Sequence, residues 1–108
     1  MVDEETSKKI QDLQMLEQNF QSLIMQKQSF QIESNETKSA LEEISKSKDD
    51  VFRVLGQIMI KANKDSLKKE LKEKGDLLNL RLKSIEKQET ILRENIERIR
   101  NDIIGKIN

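Results

Sequence analysis

A mostly α protein is expected from this chain: a long antiparallel two-helix coiled-coil hairpin, with one small β-hairpin at the helix connection. Three observations lead there. The chain has no proline, 37% of it is charged and only 3% is aromatic. Its apolar residues follow alternating 3- and 4-residue steps through most of both halves, the spacing of a heptad seam. The halves also mirror each other about Gly56: Leu13 and Ile99, Leu16 and Ile96, Phe20 and Leu92, Phe30 and Leu82, and Leu41 and Leu71 each sum to 112, twice 56. A chain doubling back at Gly56 lays one seam on the other, layer by layer. High charge with few aromatics is also a signature of disorder, but sustained heptads need only a narrow apolar stripe to hold long helices.

The first helix is expected over about residues 4–46. Asp3 caps it, and Glu4 and Glu5 in its first turn suit the helix dipole. Its seam runs through Leu13, Leu16, Phe20, Leu23, Phe30, Leu41 and Ile44, with Lys27, Ser34 and Thr37 in the gaps. At ~1.5 Å per residue it spans roughly 65 Å. Ser45 to Asp50 breaks the seam and reads as a connector.

The period then changes. Val51-Phe52-Arg53-Val54-Leu55 and Ile58-Met59-Ile60-Lys61-Ala62 flank Gly56-Gln57, and glycine first in a two-residue loop suits a type II′ turn. This predicts a β-hairpin over about 51–62. Phe52 and Val54 fall on one face and Val51 and Leu55 on the other. A lone two-stranded sheet is marginal in water, and open edges invite pairing. Either its own helix bases cover the hairpin or other subunits do. Assembly with other subunits is the stronger reading, with Val51, Phe52, Val54, Leu55, Gly56, Ile58, Met59 and Ile60 as the contact set.

Asn63 to Ser66 supplies caps for a second helix over about 65–106. Its seam is Leu71, Leu78, Leu82, Ile85, Leu92, Ile96, Ile99 and Ile103, with Gly75 and Glu89 in the gaps. Glu70/Lys74, Glu89/Arg93 and Glu94/Arg98 are i,i+4 pairs in the favourable order, each contributing at most ~0.5 kcal/mol. Gly75 costs on the order of 1 kcal/mol relative to alanine, and the mirror places it opposite Thr37. The polar seam positions Lys27, Ser34, Thr37 and Glu89 are expected to set register. The whole, residues 1–108, is read as a single domain.

Charge favours this pairing. Residues 1–54 carry 7 basic and 11 acidic groups and residues 55–108 carry 13 and 9, so the halves are −4 and +4. With no cysteine and no histidine, the chain lacks thiol chemistry and any side chain that titrates near neutrality by default. Its three glycines stand alone at 56, 75 and 105, so no phosphate loop exists. No enzyme activity, catalytic residue, metal site or cofactor is expected. Lys68, Lys69, Lys72, Lys74, Arg93, Arg98 and Arg100 are mixed with acids and lack aromatics, which argues against nucleic acid. The acidic start, Met1 to Glu5, is no signal peptide, and no run approaches a membrane span. A cytoplasmic location is expected.

The outer ends carry a second interaction surface. Ile10, Leu13 and Leu16 are expected to meet Ile96, Ile99 and Ile103, with Ile104 and Ile107 beyond them and Met15 and Met25 off the seam. Helix ends fray, and flexible Met-containing apolar surfaces suit varied partners. The candidate binding set is Ile10, Leu13, Met15, Leu16, Ile99, Ile103, Ile104 and Ile107.

Val51 to Lys61, with an aromatic near its start, glycine at the turn and an apolar run ending in lysine, resembles the linker hairpin of β-class prefoldin subunits. Leu71-Lys72-Glu73-Lys74 and Arg81 to Glu89 resemble that family's second helix, and Gln26-Lys27-Gln28 is a weaker echo in the first. One β-hairpin fits the β class, and the short ends look archaeal. Gly75 departs from the pattern, which often has a longer side chain there. The distal ends match in character rather than by motif. The resemblance implies a hetero-hexamer of two α and four β subunits joined through β-barrels, with six coiled coils hanging from that body. It implies an ATP-independent holdase that grips non-native proteins at the coiled-coil tips and passes them to a group II chaperonin. The alternative is a structural coiled-coil adaptor docking one defined protein, and a weaker third reading is a helical arm that grips RNA.

Overall fold

A computed structural model describes residues 3–107. The element order is α1 (Glu4–Lys46), β1 (Val51–Leu55), β2 (Ile58–Ala62) and α2 (Lys64–Ile107). Two long helices with a β-hairpin between them is the expected fold class, and each boundary agrees to within one residue. Met1, Val2 and Asn108, included in the single-domain expectation, lie outside the described residues.

The helix boundaries have local causes. At the start of α1, Asp3 Oδ1 accepts from the Thr6 N–H at 2.7 Å, while the Asp3 carbonyl accepts from the Ser7 N–H at 3.0 Å. This side-chain cap satisfies a donor that the first turn would leave unpaired. At its end the Ser47 N–H reaches the Glu43 carbonyl at 3.0 Å, and the Asp49 N–H turns to Ser47 Oγ at 3.2 Å. For α2, Asn63 is the cap among the four residues offered: its Oδ1 accepts from the Ser66 N–H at 2.9 Å. The helix therefore opens at Lys64.

Strands β1 and β2 pair antiparallel from Val51↔Ala62 to Leu55↔Ile58. Gly56 has φ +62°, and among the described residues no non-glycine has positive φ. A type I′ turn needs positive φ at both central residues, so Gly56-Gln57 conforms to type II′ instead. Paired strand residues sum to 113 rather than 112. The turn has two residues, so its axis lies between Gly56 and Gln57, half a residue past the expected mirror.

Packing divides the chain into two units: Met1–Ser29 with Lys83–Asn108, and Phe30–Leu82. In the first, Leu23, Ile85, Ile96 and Ile103 are buried along the seam. Ion pairs tie helix to helix: Lys27–Glu89 at 3.0 Å, Glu17–Arg100 at 2.9 Å, Glu5–Lys106 at 2.9 Å and Lys9–Asp102 at 3.8 Å. Arg93 also lies over the Phe20 ring at 5.5 Å. Ile10 does not open the seam as expected. The 4–3 step runs back from Leu13 through Lys9 to Thr6, and Thr6 is only 2% exposed. A threonine continues a heptad that an apolar-only reading ends too soon.

In the second unit, Leu78 and Thr37 are buried. Lys74 pairs with Glu33 at 3.2 Å and Arg81 lies over Phe30 at 5.7 Å. Gly75 faces Thr37 as the mirror requires: a Cβ on Gly75 would stand 3.9 Å from Thr37 Cγ2. Of the three expected i,i+4 pairs only Glu89–Arg93 forms, at 3.3 Å, in the first unit. Glu70 instead pairs with Arg53 of β1, and Lys74 with α1. Glu94 and Arg98 form no ion pair among the described residues. An intrahelical pair contributes little, so a partner on another element displaces it readily.

Candidate functional site

The hairpin presents the larger apolar surface. Alternation places Val51, Arg53 and Leu55 on one face with their partners Ala62, Ile60 and Ile58, and Phe52 and Val54 on the other with Lys61 and Met59. The root of the first face is held down: Arg53 pairs with Glu70, the Lys64 ammonium donates to the Ser47 carbonyl, and Val51 and Ala62 are half-buried. Everything beyond the root is open. Phe52, Val54, Leu55, Ile58, Met59 and Ile60 are 48–67% exposed, so the chain's own helix bases do not cover them. The sheet has two strands, and the outer edge of each lacks a neighbour among the described residues. Six large apolar side chains on adjacent residues exceed the scattered exposure normal for a protein surface.

The expected tip residues separate into three groups. Ile103 is buried, and Leu13, Leu16 and Ile99 are half-buried, so these four build the seam of the first unit. Ile10 is one heptad before Glu17, and Ile107 one heptad after Arg100. Because Glu17 and Arg100 meet, Ile10 and Ile107 share that flank. Ile104 lies one turn from Ile107, and the two are 51% and 61% exposed. Met15 is 63% exposed and off the seam, on the outer surface of α1.

Charge holds this end closed. The Lys106 ammonium donates to Glu5, holding the Glu5 carboxyl below the usual carboxylate range and raising the lysine above its ordinary value. Hydrogen bonds from the side chain and then the backbone of Thr6 lower Asp3 in the same way.

Sequence reasoning passed over a further set. Ile32, Leu77 and Leu80 in the second unit and Ile91 in the first are each more than half exposed. The signal was available, since all four fall off the 3–4 register of the seam, as does Met25, which the sequence did single out and which is 70% exposed. Among the described residues, no group of three or more potential ligands could hold a metal ion, and no helix is long and apolar enough to cross a membrane.

Known proteins share this arrangement. The family described as prefoldin subunit matches residues 7–108. The prefoldin subunit beta of Methanothrix thermoacetophila is 37% identical over 93 residues, covering 84% of this chain and 78% of that one. The Pyrococcus furiosus counterpart is 38% identical over 93 residues, covering 84% and 80%. The crystal structure of the prefoldin beta subunit from Thermococcus strain KS-1 superposes with a TM-score of 0.87 at 31% identity, covering 97% of this chain and 94% of that one.

Proposed function

The chain belongs to the β class of the prefoldin subunit family, whose members are chaperone subunits of α–β complexes, and from that premise we propose that it is an ATP-independent holdase subunit. It assembles as one of four β chains on two α chains through the β-hairpin. The exposed apolar groups at the paired helix ends hold non-native proteins, which pass to a group II chaperonin. The observation that carries this reading is the hairpin: two apolar faces and two free edges on a short sheet call for sheet partners. Ile104 and Ile107, with half-buried Ile10 on the same flank, support the second half, because gripping unfolded chains requires non-directional apolar contact that several copies reinforce through effective concentration.

The test is the mass by size exclusion with light scattering, for the chain alone and mixed with an α-class prefoldin subunit. Assembly into two α and four β chains is the expected result. A monomer or simple dimer that ignores the α subunit defeats the proposal. A hexamer that fails to suppress aggregation of a denatured protein leaves assembly standing and favours an adaptor with one defined partner.

A further inference from the structure

The second unit contains a groove of about 340 Å³ beside Gly75. Leu41, Leu71, Gly75 and Thr37 form its floor, and Lys38 and Lys72 stand on its rim. Thr37 directs its hydroxyl away: Oγ1 donates to the Glu33 carbonyl at 2.8 Å. Its methyl is left beside Gly75, so the lining is apolar at Gly75, Leu41 and Leu71, while Ser34, Asn35 and Asn79 make the rest of it polar. Neighbouring Lys74 is engaged by Glu33, whereas Lys38 and Lys72 are exposed and form no ion pair among the described residues. Asp76 also borders the groove, one turn from Lys72 and unpaired with it.

Packing within the unit does not require this groove. A Cβ at position 75 meets only an ordinary contact at 3.9 Å, so alanine has room. Glycine in a helix interior is destabilising relative to alanine. The residue therefore carries a cost that the chain's own contacts do not explain, and its effect is to keep the groove open.

We infer that this groove receives an acidic amphipathic helix of a partner protein, seating one large apolar side chain over Gly75 between carboxylates that meet Lys38 and Lys72. Helix-in-groove recognition sets anchors at i, i+3, i+4 and i+7, of which the recess at Gly75 would take one, and rim charge selects the partner by sign. Asp76 adds to that selection by repelling a carboxylate placed on its side. The site is separate from the hairpin and from the helix ends, so its test does not depend on either.

The probe is a short capped helical peptide with one leucine, and glutamates one turn before and after it. It is titrated into the full chain while amide shifts are followed by NMR. Expected are saturable shifts centred on Gly75, Thr37 and Asn79. Gly75→Leu should fill the groove and weaken binding about tenfold or more, with helicity unchanged by circular dichroism. Lys38→Glu with Lys72→Glu leaves the floor intact and should reverse preference toward a peptide with lysines in place of glutamates. Equal binding of both peptides by the native chain overturns the assignment. So do shifts confined to the hairpin or helix ends, the absence of saturable shifts, and full affinity in Gly75→Leu. Concentration-dependent dimerisation lost in Gly75→Leu would give the groove to a second copy, through its exposed Ile32 and nearby Glu36, and also overturn it.

Discussion

Gly75 illustrates how far single residues could be read. The mirror about Gly56 placed it opposite Thr37, and the two are neighbours in the structure. The open space around it was not legible, because vacancy depends on the directions of four surrounding side chains. Since a Cβ fits there without displacement, Gly75→Ala should stabilise the chain by about 1 kcal/mol. Urea unfolding of the isolated chain measures this, and a loss of stability would contradict the geometry at Thr37. The ion pairs show the opposite case. Sequence offered Glu70/Lys74 at ideal helical spacing, yet both residues pair with other elements. Local spacing gives the intrahelical option only, and tertiary partners decide the outcome.

Helix ends and strands are settled by a few residues each, which is why their boundaries were readable to within one position. Asp3 and Asn63 act through side-chain oxygens that must sit three residues before the N–H they satisfy. The end of the first unit adds a pH dependence. Asp3 and Glu5 have carboxyls lowered by folding, so their contribution is present above their ordinary values and lost as pH falls through the lowered ones. Lys106 is raised, so its contribution is present below the ordinary lysine value and lost as pH rises through the raised one. These contacts should therefore be fully present from about pH 5 to about pH 10 and weaken progressively beyond the ordinary carboxylate and lysine values, a modest effect because the groups are exposed. Amide shifts of Thr6 and Lys106 report it. A Thr6 shift that titrates at or above the ordinary aspartate value would dismiss the Asp3 cap as its source. The hairpin has its own dependence. Gly56 at φ +62° occupies a region that costs a β-branched residue on the order of 1–2 kcal/mol. Gly56→Val should weaken assembly by distorting the turn, and Val54→Asp should block it by charging an open face. Both should leave helicity nearly unchanged by circular dichroism. An unchanged complex with Val54→Asp would remove that face from the interface.

At the scale of the whole molecule, the chain allots its apolar groups to two uses, and only one was fully legible. Seam positions repeat, so periodicity finds them. Interaction positions do not repeat, so they appear only as departures from the period, and the structure is needed to say which departures are exposed. Ile103 was expected among the client-binding residues, but it is buried at 8% exposure and holds the helix pair together. Deleting residues 100–108 would remove that seam layer along with the exposed groups, so loss of function in such a variant would have two causes. Ile104→Ser with Ile107→Ser separates them, because both side chains are more than half exposed and their replacement removes surface rather than core. Surface changes of this kind alter stability by about 0.5 kcal/mol or less. On the holdase reading, the double variant should assemble and melt like the parent but protect denatured clients less well. The loss should be steeper in the assembled complex than in a tip-to-client contact measured singly, since each weakened contact also reduces the avidity of the others. Full protection by the double variant, with assembly intact, would move client binding off the Ile104–Ile107 flank. Met15, Met25 and the outer residues Ile32, Leu77, Leu80 and Ile91 would then be the surfaces to substitute.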